Sequence, residues 1–66
     1  MNADEQWLID QGFPVEVELD SKSGEYWVHL LNRTRRRVAP NYGRGNTADE
    51  SIASAPRRYE VEELGI

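Results

Sequence analysis

The alternation of apolar and polar residues divides the middle of the chain into three stretches that predict β-strands. Residues 15–19 alternate valine or leucine with acidic residues, which is typical of a strand with one apolar and one acidic face. Residues 25–32 carry aromatic or apolar side chains on both faces, which predicts a central strand. Residues 36–42 predict a shorter third strand, in which Pro40 favours an edge position or a strand end.

Helical patterns flank these strands on both sides. Asn2 is placed to cap a short N-terminal helix that Gly12 ends. Thr47, followed three residues later by glutamate, fits the capping box that begins a longer helix. Pro56 lies within the helical spacing, so we expect a kink or a restart there. For residues 57–64 both a helix and a strand fit the pattern, and the helix is favoured.

Taken together, the elements predict an α+β domain of order α-β-β-β-α. Its three-stranded antiparallel sheet would carry the short N-terminal helix and the longer C-terminal helix on one face. Residues 1–66 are expected to form a single small domain. There is no cysteine, and no apolar run approaches the roughly 20 residues that span a membrane. The acidic N-terminus does not resemble a signal peptide, so we expect a cytoplasmic protein.

Charge is segregated along the chain, whose formal net charge is −4. The first 25 residues hold seven acidic residues against one lysine, whereas arginines cluster in residues 33–37. The arginines either pair with the protein's own carboxylates or contact an anionic partner, and both interpretations stay open. If they contact nucleic acid, the candidate residues are Arg33, Arg35, Arg36, Arg37 and Arg44.

Two features raise the question of catalysis or cofactor binding. Residues 43–48 match the G-x-G-x-x-A dinucleotide pattern, but too little chain follows for the βαβ unit that the motif requires. We therefore favour glycines that supply positive φ and close packing where a strand turns into a helix, with anion binding helped by Arg44 as the alternative. His29 shares a strand face with Trp27 and Leu31, which favours packing over general-base chemistry. We expect no enzyme, no cofactor and no metal site.

Three stretches of the chain carry a resemblance to a known family. Residues 45–55, GNTADESIASA, are similar to the G-x-T-x-x-E-A-[LI]-x-x-A entry to a helix in the HicB-like antitoxin domain. Residues 15–19 and 24–28, VEVEL and GEYWV, are similar to its first strand and its G-x-Y-x-V segment, and the resemblance covers residues 14–64. The same order of elements, with G-x-G-x-T at residues 43–47, also resembles the double-stranded-RNA-binding domain. The two lysines that follow there are Ala48 and Asp49 here.

The HicB resemblance implies a small protein-binding domain whose partner is a basic, RNA-cleaving toxin. Acidic surfaces would suit such a partner, as would an exposed aromatic side chain. The candidate protein-binding residues are Glu16, Glu18, Asp20 and Trp27, with further carboxylates at Glu60, Glu62 and Glu63. Nucleic-acid binding remains the alternative, since three-stranded sheets also bind DNA in the arm-binding domains of phage-type integrases. Homodimerisation stays open as well.

Overall fold

A three-stranded antiparallel sheet carries two helices on one face in the computed structural model, which describes residues 2–66. The elements are α1 (Ala3–Asp10), β1 (Val15–Leu19), β2 (Tyr26–Leu31), β3 (Arg37–Gly45) and α2 (Ala48–Glu63). The strand order is β1-β2-β3, so β2 is central and β1 and β3 are the edges. The predicted α+β class and its element order are confirmed.

Both helices begin where the sequence predicts them. The Asn2 side chain accepts hydrogen bonds from the backbone N–H groups of Asp4 and Glu5, at 2.7 and 3.3 Å. Thr47 caps α2 by accepting from the N–H of Glu50 at 3.1 Å. Pro56 is buried inside α2, which continues through it as one helix, so no restart occurs there. The favoured helical interpretation of the following residues is correct as far as Glu63.

The core lies between the helices and one face of the sheet. Its buried members come from both helices and from β2 and β3: Leu8, Val28, Leu30, Tyr42, Ile52 and Ala55. Trp7 and Phe13 extend this cluster through aromatic contacts with Tyr59, at ring-centroid distances of 5.6 and 5.7 Å. A short α1 is not stable alone, so this docking on α2 is what stabilises it.

The third strand is longer than predicted, because it runs to Gly45 and contains the glycine stretch. Gly43 and Gly45 pair with Val28 and Tyr26 of β2, so they belong to the strand and not to a loop. A Cβ atom on Gly43 would lie 2.6 Å from the carbonyl oxygen of Ser51, and one on Gly45 would lie 2.6 Å from the Ser51 nitrogen. The glycines therefore let α2 approach the strand closely, as the packing prediction required. The predicted positive φ is wrong, because both glycines lie in β3 and neither has a positive φ.

An irregularity interrupts β3 opposite His29. Val28 pairs with Gly43, whereas Leu30 pairs with Ala39, so three residues of β3 stand opposite one residue of β2. Asn41 lies at the centre of this bulge with φ of 54°, a left-handed conformation that asparagine tolerates better than most residues. Pro40 lies on an edge strand, as the sequence predicted, but the sequence did not predict the bulge.

Candidate binding surface on the open sheet face

The face of the sheet opposite the helices is called the open face below. Val15 and Val17 pack against the core, so the alternating Glu16 and Glu18 point to the open face of β1. Glu16 pairs with His29 and Glu18 pairs with Trp27, which places these four side chains on one surface. The structure thus brings together three of the four candidate protein-binding residues.

Arg37 joins this surface from the far edge. Its Nε atom donates to Glu16 Oε1 at 2.8 Å, and its guanidinium lies 3.9 Å from Glu18 Oε1. The side chain therefore crosses the width of β2 to reach the opposite strand. All three side chains stay about half exposed to solvent, so the ion pairs stabilise the fold only weakly. Arg37, predicted as a candidate phosphate contact, is engaged with the protein's own carboxylates.

His29 is the one titratable side chain among residues 2–66 that the structure buries on this face, with 1% exposure. Its Nδ1 atom accepts a hydrogen bond from the backbone N–H of Asn41 at 2.9 Å. Its Nε2 atom lies 3.1 Å from Glu18 Oε1. Since Nδ1 accepts, the proton of the neutral ring belongs on Nε2, which donates to the carboxylate. The imidazole thus fills the bulge and holds Glu18 in place.

Trp27 and Arg44 form a second pair on the open face. The Arg44 guanidinium carbon lies 5.0 Å from the centre of the Trp27 ring, in cation–π geometry. The Trp27 ring is half-buried, and its buried indole N–H finds no hydrogen-bond acceptor within residues 2–66. Arg44 therefore lies over one face of the Trp27 ring, and a partner could not stack on that face without displacing it.

Asp20 is mainly a turn residue. Its side chain accepts hydrogen bonds from the Ser23 hydroxyl at 2.6 Å and from the Ser23 N–H at 3.1 Å. The Ser23 side chain is the largest cause that holds the pKa of Asp20 below its ordinary value, and the Arg44 charge acts in the same direction. Asp20 therefore fixes the β1–β2 hairpin at the end of the acidic strand.

The β2–β3 turn carries the remaining three candidate arginines, which do not reach the carboxylates of β1. The Asn32 side chain accepts hydrogen bonds from the N–H groups of Thr34 and Arg36, both at 3.0 Å. Arg35 adopts a left-handed φ of 64°, which closes the turn. Arg33, Arg35 and Arg36 are exposed, and none of them forms an ion pair within the described part of the chain. Among the five candidate arginines, these three remain available to an anionic partner, and the sequence did not separate them from Arg37.

The protein's own side chains engage some of the backbone donors near the start of α2. Glu50 Oε2 accepts from the backbone N–H of Asn46 at 2.8 Å, and the Arg44 N–H donates to the Ser54 hydroxyl at 3.0 Å. An anion at this position would therefore compete with the Glu50 carboxylate.

Sequence reasoning missed two contributors to the open face. Asn41 supplies the N–H that orients His29, and Asn32 organises the arginine turn. A signal for the bulge was present in the Pro40–Asn41 dipeptide, because proline cannot donate to the ladder and asparagine tolerates positive φ.

No pocket, metal cluster or membrane-spanning helix is found among residues 2–66. The fold encloses no pocket in this range, and no group of three histidine or acidic side chains is arranged to hold a metal ion. No helix in the described range is long and apolar enough to cross a bilayer. A contact surface, in contrast, needs no pocket.

Comparison with known proteins gives no family assignment. No protein-family model matches the chain, and neither a curated protein nor a solved structure matches it significantly.

Proposed function

We propose that this chain is a non-enzymatic protein-binding module that contacts a basic protein through the carboxylates of its open face. The observation that carries the proposal is the fixed pair of Glu16 and Glu18 on an edge strand. Each is about half exposed, and each is oriented by another side chain, Glu16 by Arg37 and Glu18 by His29. Because these side chains are already oriented, less conformational entropy is lost when a partner binds them.

Pairing with Arg37 does not neutralise both carboxylates of β1. Glu16 and Glu18 contribute two carboxylates, Arg37 contributes one guanidinium, and His29 is neutral in the tautomer that its hydrogen bonds require. One negative charge therefore remains on these four side chains, and the Arg44 guanidinium lies beside them over Trp27. Electrostatic complementarity of this kind raises the association rate and selects a basic partner. In the HicB-like interpretation that partner is a basic, RNA-cleaving toxin, which the chain would neutralise.

A capture experiment with matched charge variants tests the proposal. Wild-type protein, the double variant Glu16→Lys/Glu18→Lys and the triple variant Arg33→Gln/Arg35→Gln/Arg36→Gln are immobilised and exposed to one extract of the native cell. We expect wild type and the arginine variant to retain the same basic protein, and the glutamate variant to lose it. Equal retention by all three would refute a role for the open-face carboxylates.

The hairpin-tip arginines support a second candidate, nucleic-acid binding. Arg33, Arg35 and Arg36 extend from one ordered turn and make no ion pair within residues 2–66. In a titration with a DNA duplex and an RNA duplex, this candidate predicts localised NMR shifts at residues 33–36. Each DNA phosphate contact would steepen the slope of log K against log salt by about 0.9. If the shifts are confined to this turn and are lost in the triple arginine variant, nucleic-acid binding replaces protein binding as the leading function.

A further inference from the structure

The outer edge of β1 exposes backbone groups in a regular pattern. Leu31 donates its N–H to the Pro14 carbonyl at 2.7 Å, and Asp20 donates to Glu25 at 2.8 Å. These bonds and the unbroken register between them place the even-numbered residues of β1 in hydrogen-bonded pairs with β2. The N–H and C=O groups of the odd-numbered residues therefore point away from the sheet. These residues are Val15, Val17 and Leu19.

The opposite edge of the sheet lacks this regularity. In β3, Pro40 has no N–H, and Asn41 turns its own N–H inward to His29. The bulge also breaks the spacing that a further strand would need. Strand addition to this sheet is therefore open at β1 and blocked at the centre of β3.

A second copy of the chain is a poor occupant of the β1 edge. Antiparallel pairing of two β1 strands about Val17 would place Glu16 of each copy opposite Glu18 of the other. All open-face side chains of β1 are acidic, so shifting the register by two residues still brings carboxylates together. Like charges directly opposite one another destabilise a strand pair. A strand with basic side chains on the open face would replace this repulsion with attraction.

We propose that β1 accepts an extended segment of a partner protein as a fourth, antiparallel strand. Apolar side chains of this segment lie beside Val17 and Leu19 on the helix face, where Leu19 is 55% exposed. Lysine or arginine side chains lie beside Glu16 and Glu18 on the open face. Main-chain hydrogen bonds supply affinity and the alternating side chains supply specificity, as in other cases of strand addition. The inference rests on the proposed function and specifies its binding mode.

Peptides with defined backbone donors test this binding mode. The probe is an end-blocked peptide of alternating arginine and valine, long enough to span the five residues of β1. In the antiparallel pairing, its valine N–H groups face β1 and its arginine N–H groups face solvent. We expect N-methylation of the valines to weaken binding at least tenfold, and N-methylation of the arginines to change it less than threefold. A peptide of alternating glutamate and valine is the charge control.

Two matched variants test the protein side. Leu19→Pro removes an outward N–H from β1 without removing a bond to β2, and Leu19→Ala removes the side chain but keeps the donor. We expect the proline variant to bind the basic peptide at least tenfold more weakly than the alanine variant. Bound peptide should also slow hydrogen exchange at the N–H groups of Val17 and Leu19 in the wild type. If Leu19→Pro does not fold, this hydrogen-exchange measurement on the wild type still tests strand addition.

The outcomes separate the binding mode from the proposed function. If both N-methylated peptides bind as the parent does and β1 exchange is unchanged, strand addition is wrong, although binding that depends on Glu16 and Glu18 would still support the proposed function. If the basic peptide does not bind at all, strand addition is also overturned. The proposed function is tested separately, by the capture experiment with the charge variants, and that result does not depend on either peptide result.

Discussion

The two faces of β2 are both well buried, but different forces stabilise them. On the helix face, Val28 and Leu30 are 0% and 2% exposed, and they contact apolar side chains. On the open face, His29 is equally buried, but it is held by hydrogen bonds to Glu18 and to Asn41. One strand therefore supplies a core on one side and an oriented polar surface on the other.

The difference has energetic consequences. Complete burial of a valine or leucine side chain stabilises a fold by roughly 1.5–3 kcal/mol. An intramolecular hydrogen bond makes a net contribution of about 1 kcal/mol to stability, and an exposed ion pair contributes less than that. The helix face thus determines whether the chain folds. The open face can change its side chains at lower cost, which suits a surface that selects a partner.

The largest effect is expected where the helix face is tightest. Gly43→Ala adds a methyl group 2.6 Å from the Ser51 carbonyl oxygen and 2.8 Å from Val28 Cγ1, so α2 must move away from β3. We expect a loss of about 3 kcal/mol in the free energy of unfolding. Urea denaturation followed by far-UV circular dichroism measures it. Gly24→Ala is the control, since no atom lies within 4 Å and only its positive φ of 75° is penalised, at about 1 kcal/mol. Equal losses would contradict the close approach of α2.

An intermediate effect is expected on the open face. His29→Leu fills the buried position with an apolar side chain but leaves the Asn41 N–H without its acceptor, which should cost about 2 kcal/mol of unfolding free energy. Glu18→Gln, which alters only the half-exposed partner, should cost less than about 1 kcal/mol. In the wild type, ¹⁵N NMR of the imidazole should show the proton on Nε2. A protonated Nδ1 in the neutral ring would be incompatible with the hydrogen bond from Asn41.

The smallest effect appears only at alkaline pH. Burial raises the pKa of Tyr42 above its ordinary value of 10.0, and the Glu62 charge acts in the same direction. A raised folded-state pKa means that this stabilisation is complete below pH 10.0 and is lost as pH rises through the folded-state value. The Tyr42 hydroxyl has no hydrogen-bond partner within residues 2–66, so Tyr42→Phe should leave stability at pH 7 nearly unchanged. Its urea midpoint should fall less steeply than that of the wild type above pH 10.0. Parallel curves would show that Tyr42 ionises freely in the folded state.

Local patterns were sufficient to predict most of the fold. The period-two alternation of β1, the two apolar faces of β2 and the caps at Asn2 and Thr47 each depend on neighbouring residues, and each is confirmed. The predicted extent of β3 was wrong, because glycines that allow a helix to pack closely look the same in the sequence as glycines in a loop. Only the position of α2 distinguishes the two cases.

The candidate site was predictable in part. Alternation predicted that Glu16 and Glu18 share a face, but it could not predict that Arg37 reaches them, because that contact depends on the register of two strands that are not neighbours. The five candidate arginines consequently divide in the structure. Arg37 and Arg44 lie against the sheet surface, whereas the three arginines of the turn remain exposed.

The bulge at Asn41 also limits the stoichiometry of any assembly built by strand addition. A sheet that is open at both edges can accept two further strands, whereas a sheet with one blocked edge accepts a single one. The chain would therefore form a one-to-one complex through β1. A regular β3 would instead offer a second edge to the same kind of segment, and one chain could then bind two partners.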